Sequence, residues 1–248
     1  MKAPKRTKGP RSVMKTVNML TMVVVLCSAR VTMARYLYTS DFESPTYTLG
    51  AVNGQDGWTA TIPGGYHNDI KADSAGFPAN GQWASMLAEP YKMCSMVRTI
   101  NPDADILKTS WLWIPNDNGN PAAWGTAQFK LFDDAGVMYF NAWYRIDQPL
   151  HIVTDIAAVY VNTGFDPGEQ AFIIEVEIDY ALSKQRVSVT PVATGITQTS
   201  LWYNLAFGVT PTIADADGGT FSLETSFGGI DDLSIASVPP AGTLLIIE

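Results

Sequence analysis

The sequence predicts an all-β protein, an antiparallel two-sheet β-sandwich, and three observations lead there. Short runs rich in Val, Ile, Thr, Tyr, Phe and Trp recur along the chain, and no segment beyond the basic N-terminal stretch sustains a helical period. Clusters such as "NDNGNP", "DDAG", "DPGE" and "DADGG" separate those runs; their Asx side chains close turns and their glycines accept positive φ. At 248 residues, with 46% hydrophobic and 16% charged side chains, the chain suits one large core. Many short strands without intervening helices pair antiparallel and stack as two sheets, and a jelly roll is the expected arrangement at this length.

In order, "YLYTSDFE" (36–43) is the first expected strand, and the long stretch 44–81 is read as irregular. "QWASMLA" (82–88), "MCSMVRTI" (93–100), "LKTSWLWI" (107–114), "TAQFKLF" (126–132) and "VMYFNAWYR" (137–145) follow. Trp111, Trp113 and Trp143 sit in strand alternation and read as core. One strand is expected over 151–161, then "AFIIEVEIDY" (171–180), "QRVSVTPV" (185–192), "LWYNLAF" (201–207), "TFSLET" (220–225) and "GIDDLSIA" (229–236).

Charge divides the chain. Residues 1–35 hold eight of the 16 Lys/Arg and none of the 24 Asp/Glu, so the remainder carries −16. A body this acidic repels nucleic acid and anionic lipid, and suits an extracellular domain meeting neutral polymers or divalent cations. The leader "MKAPKRTKGPRSVMK" is basic and "VNMLTMVVVLCSA" is apolar, the pattern of a secretory signal peptide over residues 1–34, with cleavage after Ala29 or Ala34. The apolar run is shorter than the ~20 residues of a membrane span. Cys27 lies in this leader, which leaves Cys94 alone in a mature domain of residues 36–237.

Candidate chemistry falls into three sets. Trp58, Tyr66 and Trp124 lie in or beside loops, where an indole or phenol ring can stack on a sugar while Asn53, Gln55, His67, Asn68 and Asp69 bind its hydroxyls. Asp41 and Glu43 in the first strand, with Asp231 and Asp232 in the last, offer hard oxygen donors that converge on one Ca²⁺ if the terminal strands pair. In "IIEVEIDY", Glu175, Glu177 and Asp179 share one strand face, the placement a glycoside hydrolase needs for paired carboxylates; the plain alternative is a solvated outer face. No zinc pair, nucleophile elbow or Walker loop is present.

"YTSDFESPTYTLGAVNGQDGWTA" and "FGGIDDLSIASVP" resemble secreted bacterial domains of the concanavalin A-like lectin/glucanase, or LamG-like, jelly-roll class. The resemblance implies a carbohydrate-binding sandwich and a structural calcium held by Glu43 with Asp231 or Asp232, and Asp41. Jelly-roll glucanases carry Glu-x-Asp-x-x-Glu; counted from Glu175, this chain has Glu177 and Tyr180 at the later positions. "SVPPAGTLLIIE", within the tail 238–248, resembles the start of a PEP-CTERM-type sorting signal without its central Glu, full apolar helix or basic end. The expected function is therefore a secreted, non-catalytic binder of polysaccharide or extracellular matrix glycan. A glycoside hydrolase using Glu175 and Glu177, and a structural surface protein without soluble ligand, are the alternatives.

Overall fold

The computed structural model describes residues 34–62, 67–72, 81–87, 94–115, 126–145, 148–154, 159–166, 170–205, 211–225 and 227–239. Ala34–Pro239 forms one compact unit. The expected leader with Cys27, the tail beyond Pro239, and both Tyr66 and Trp124 lie outside the described residues.

β1 (Arg35–Ser40) is followed by β2 (Gly50–Ala51), β3 (Thr59–Thr61), β4 (His67–Ala72), β5 (Gln82–Leu87) and β6 (Cys94–Thr99). Next come β7 (Ile106–Pro115), β8 (Thr126–Phe132), β9 (Met138–Arg145), β10 (Gln148–Thr154) and β11 (Val159–Asn162). β12 (Phe172–Asp179), β13 (Lys184–Pro191), β14 (Gln198–Thr199) and β15 (Tyr203–Asn204) precede a helical turn, α1 (Ile213–Ala216), and β16 (Thr220–Thr225) and β17 (Phe227–Val238) complete the series. A ten-stranded sheet runs β14-β13-β12-β7-β17-β5-β4-β2, with β1 also on β17 and β15 also on β13. A seven-stranded sheet runs β11-β10-β9-β8-β16-β6-β3. Every pairing is antiparallel among the described residues, so the expected sandwich is the architecture found.

Alternation decides which side chains enter the core. In β12, Phe172, Ile174, Val176 and Ile178 are at most 4% exposed and face Phe129, Phe140 and Phe221 of the other sheet's inner layer. Tyr139 and Tyr180 join the two sheets through a 2.9 Å hydroxyl–hydroxyl bond, and burial raises both phenol pKa values.

Four expectations change. The stretch 44–81 carries β2, β3 and β4 rather than no strand, because its short runs find partners: β2 pairs with β4 within the stretch, β4 adds to β5, and β3 adds to β6. The single strand of 151–161 is a hairpin of β10 and β11, with Ile152 opposite Val161. Within the expected strand 201–207, the described residues 201–205 contribute the two-residue strand Tyr203–Asn204. The flank of "DADGG" starts as helix, because Thr212 and Asp215 cap each other reciprocally; the Thr212 N–H and hydroxyl hold the Asp215 carboxyl below its ordinary pKa.

Candidate functional site

Of the aromatic set singled out by the sequence, Trp58 alone is among the described residues, and it is buried. Trp58 is 1% exposed, packed edge-on against Phe221 with ring centroids 5.2 Å apart. Its Nε1 donates to the hydroxyls of Tyr47 at 2.9 Å and Tyr38 at 3.1 Å, and both hydroxyls donate to Asp56 Oδ2. Arg98 lies 3.8 Å above the Tyr38 ring and 3.5 Å from Asp56, closing the network. Trp58 therefore anchors the 44–58 loop to the core and has no face for a sugar. Three of the polar residues named with it turn inward as well. Gln55 accepts from Thr48 N–H and donates to the Thr48 and Ala51 carbonyls, Asn53 caps Ala60 N–H, and buried Asn68 donates across to Ser95 O.

The outer face of the seven-stranded sheet carries what the loops do not. Cross-strand pairing aligns Asn162, His151, Trp143, Gln128, Glu224, Ser95 and Thr61, one residue from each strand. The residues beside this rung in the chain, Ala142, Tyr144, Phe129 and Leu223, belong to the core, so alternation points the rung outward. Trp143 is thus not the core residue the sequence predicted. It is half-buried on the outer face, with its ring 5.5 Å from that of His151. On the next rung Asn141 is 5% and Ser222 2% exposed, and Lys130 binds Glu224 at 2.6 Å. Asn141 Oδ1 and His151 Nδ1 are buried without a hydrogen-bond partner among the described residues.

The outer face of the ten-stranded sheet holds Glu175 and Glu177. Glu177 is 6% exposed, opposite Arg186 on one side and Lys108 on the other. Arg186 donates to its Oε2 from Nε at 3.0 Å and Nη2 at 2.7 Å, and Lys108 Nζ stands 3.4 Å away. The Glu177 carboxylate is closed between two cations. Glu175 instead lines an open groove of about 270 Å³ with Ile173, Arg186, Ser188, Thr190, Thr197 and Thr199. The guanidinium of Arg186 lies 4.5 Å from the ring of Trp202, which at 39% exposure is the most accessible tryptophan among the described residues.

The acidic ends do meet. β1 pairs with β17, setting Ser40 opposite Leu233, and Asp41 and Asp232 line one groove of about 340 Å³. Phe42 at φ 57° and Asp232 at φ 49° bend the chain at this point, turning the Phe42 ring fully into the core. Asp231 is 4% exposed. Burial first, then repulsion from Asp232, Glu43 and Asp41, pushes its carboxyl up to about 7 against the lowering effect of the Asp232 N–H bond. Glu43 accepts from Gln82 N–H and lies against Gly81, where a Cβ would fall 1.8 Å from its Oε1. Among the described residues no group of three or more His, Cys, Asp or Glu stands in metal-holding geometry. The carboxylates are gathered but not closed around a common point.

No protein-family model matches the sequence, and a search of curated proteins finds no match. Among solved structures, a sialidase is similar with TM-score 0.52 and 13% identity over 73% of this chain, which spans 17% of that protein's length. Peanut lectin is similar at TM-score 0.49 and 11% identity, covering 86% of this chain and 100% of the lectin. A protein of unknown function from Shewanella oneidensis MR-1 is similar at TM-score 0.48 and 12% identity, covering 98% and 100%. Likeness at these identities concerns fold alone, and the sialidase match is consistent with the antiparallel β-sandwich described above. No helix among the described residues is long and apolar enough to cross a membrane.

Proposed function

We propose that the protein is a secreted, non-catalytic carbohydrate-binding sandwich whose glycan lies across the strands of the seven-stranded sheet. The rung from Asn162 to Thr61 carries this reading. Strands stand about 4.8 Å apart, close to one unit of an extended glycan, so a chain crossing them meets a new side chain at nearly every sugar. Trp143 supplies an indole for the apolar face of a ring, and Gln128, Glu224 and His151 offer planar hydrogen-bonding groups beside it. The acidic body favours a neutral polysaccharide or matrix glycan over a uronic-acid polymer.

The closed ion pairs of Glu177 support binding over hydrolysis, since they leave Glu175 without a second open carboxylate from the expected pair. Affinity electrophoresis through gels cast with neutral polysaccharides tests the site. Wild type is retarded, Trp143→Ala and Gln128→Ala each lose most of that retardation, and affinity for oligosaccharides grows with length up to about six units, the six strand spacings of the sheet. Retardation unchanged in both variants, with native melting curves, removes this face. Reducing-sugar release by wild type that is absent in Glu177→Gln would overturn the non-catalytic reading.

We also propose that Ca²⁺ binds where the terminal strands meet, held by Asp41, Glu43, Asp231 and Asp232. The donor type fits, since all four residues offer hard carboxylate oxygens on the two paired terminal segments, and binding would have to draw them around one point. Melting with calcium and with chelator is the test.

A further inference from the structure

We infer that the groove on the ten-stranded sheet is a second glycan site, so that one molecule bridges two neutral polysaccharide chains from opposite faces. The inference rests on the carbohydrate-binding reading above, but on different residues. Cross-strand pairing brings Ser188 Oγ to 2.9 Å from Thr199 Oγ1, and Thr190 Oγ1 lies 2.8 Å from Thr197 Oγ1. Each hydroxyl pair spends one O–H on itself and keeps a spare donor and spare acceptor lone pairs. A sugar hydroxyl, which both donates and accepts, matches that arrangement better than a phosphate or a carboxylate, which can only accept. Glu175 adds acceptors on the floor, and Arg186 keeps N–H groups beyond the two given to Glu177. Around the groove Glu175 and Glu177 are matched by Arg186 and Lys108, a balance that selects an uncharged ligand.

The apolar half of the recognition is also present. Ile173 is 42% exposed on the groove wall, and the Trp202 ring beside Arg186 offers a surface for C–H groups. A volume of about 270 Å³ sits just under the roughly 300–1,000 Å³ of small-molecule sites, room for a short run of a chain rather than a long one. Because sandwich sheets stack about 10 Å apart with their outer faces turned away from each other, ligands on the two faces do not compete. Bridging follows from geometry, without an oligomer.

Calorimetry with neutral hexasaccharides of β-1,4-glucan, β-1,3-glucan, xylan and mannan tests this, alongside light scattering with the corresponding polymers. Wild type is expected to bind two equivalents of its hexasaccharide, and Thr190→Val/Thr197→Val and Trp143→Ala one each. Only wild type should raise the scattering of the long polymer. Glu175→Gln serves where the threonine pair disturbs folding, as read by melting. A single site lost in Trp143→Ala and indifferent to the groove variants overturns the second site and leaves the proposed function standing. A single site lost only in the groove variants overturns the seven-stranded assignment and the bridging together. No binding to any of the four overturns both.

Discussion

At Asp231 the carboxyl group has exchanged water for the company of Asp232, Glu43 and Asp41, and its folded pKa of about 7 follows from that exchange. An unfolded Asp titrates near 3.9, so the native state holds an extra proton between those two values. The sign follows: the stabilisation linked to this proton is complete below about pH 4 and is lost as the pH rises through 7. In chelator, without calcium, Asp231→Asn should therefore melt higher than wild type at pH 8 and nearly equal to it near pH 4, by thermal scans across that range. A difference that does not change with pH would show that folding leaves the Asp231 pKa unshifted. Residue identity alone did not reveal which aromatics are accessible. The Gly-flanked "GQDGW" suggested an exposed Trp58, yet its Gln, Asp and Trp all bond inward to loop backbone or tyrosine hydroxyls. The signal for Trp143 was present but weak: Asn141 and Arg145 share its parity in "FNAWYR", while Phe140 and Tyr144 take the other.

Single elements were more legible than their partners. The alternation in β12 placed four apolar residues inward and three carboxylates outward, and the structure agrees because one sheet face needs a core while the other needs solvent or ion pairs. What pattern could not supply was close approach between strands. Trp83 of β5 lies flat over Gly229 of β17 and reaches Leu112 of β7, forming a small apolar cluster outside the main core. A Cβ at Gly229 would stand 2.2 Å from that ring. Gly229→Ala should cost about 1–3 kcal/mol of stability through overpacking, read from urea denaturation. An unperturbed midpoint would mean the ring swings clear. The hairpin of β10 and β11 escaped the sequence for a related reason, since the apolar residues on both sides of its turn read as one continuous strand.

Across the whole molecule, two stacked sheets could be read from strand-rich segments and turn chemistry, whereas strand order depends on contacts between residues far apart in the chain. The meeting of the ends was inferred and is found in β1 against β17. Calcium at that junction would act on the entire fold by clasping first strand to last. A ligand that binds only the native state at 100 times its Kd adds about 2.7 kcal/mol, so millimolar calcium should raise the melting temperature and chelator reverse the rise. The same Tm in both would remove the site. Asp231→Asn should blunt the response in the same scans.

The position of β17 has a further consequence. The last strand among the described residues is not an edge; it lies between β7 and β5, with β1 alongside. Until residues 227–238 have left the ribosome, the larger sheet exists only as two halves with a slot between them, each exposing an unpaired backbone edge. Closure of the larger sheet must then wait until β17 has been made, and pairing strands so distant in sequence makes that closure slow.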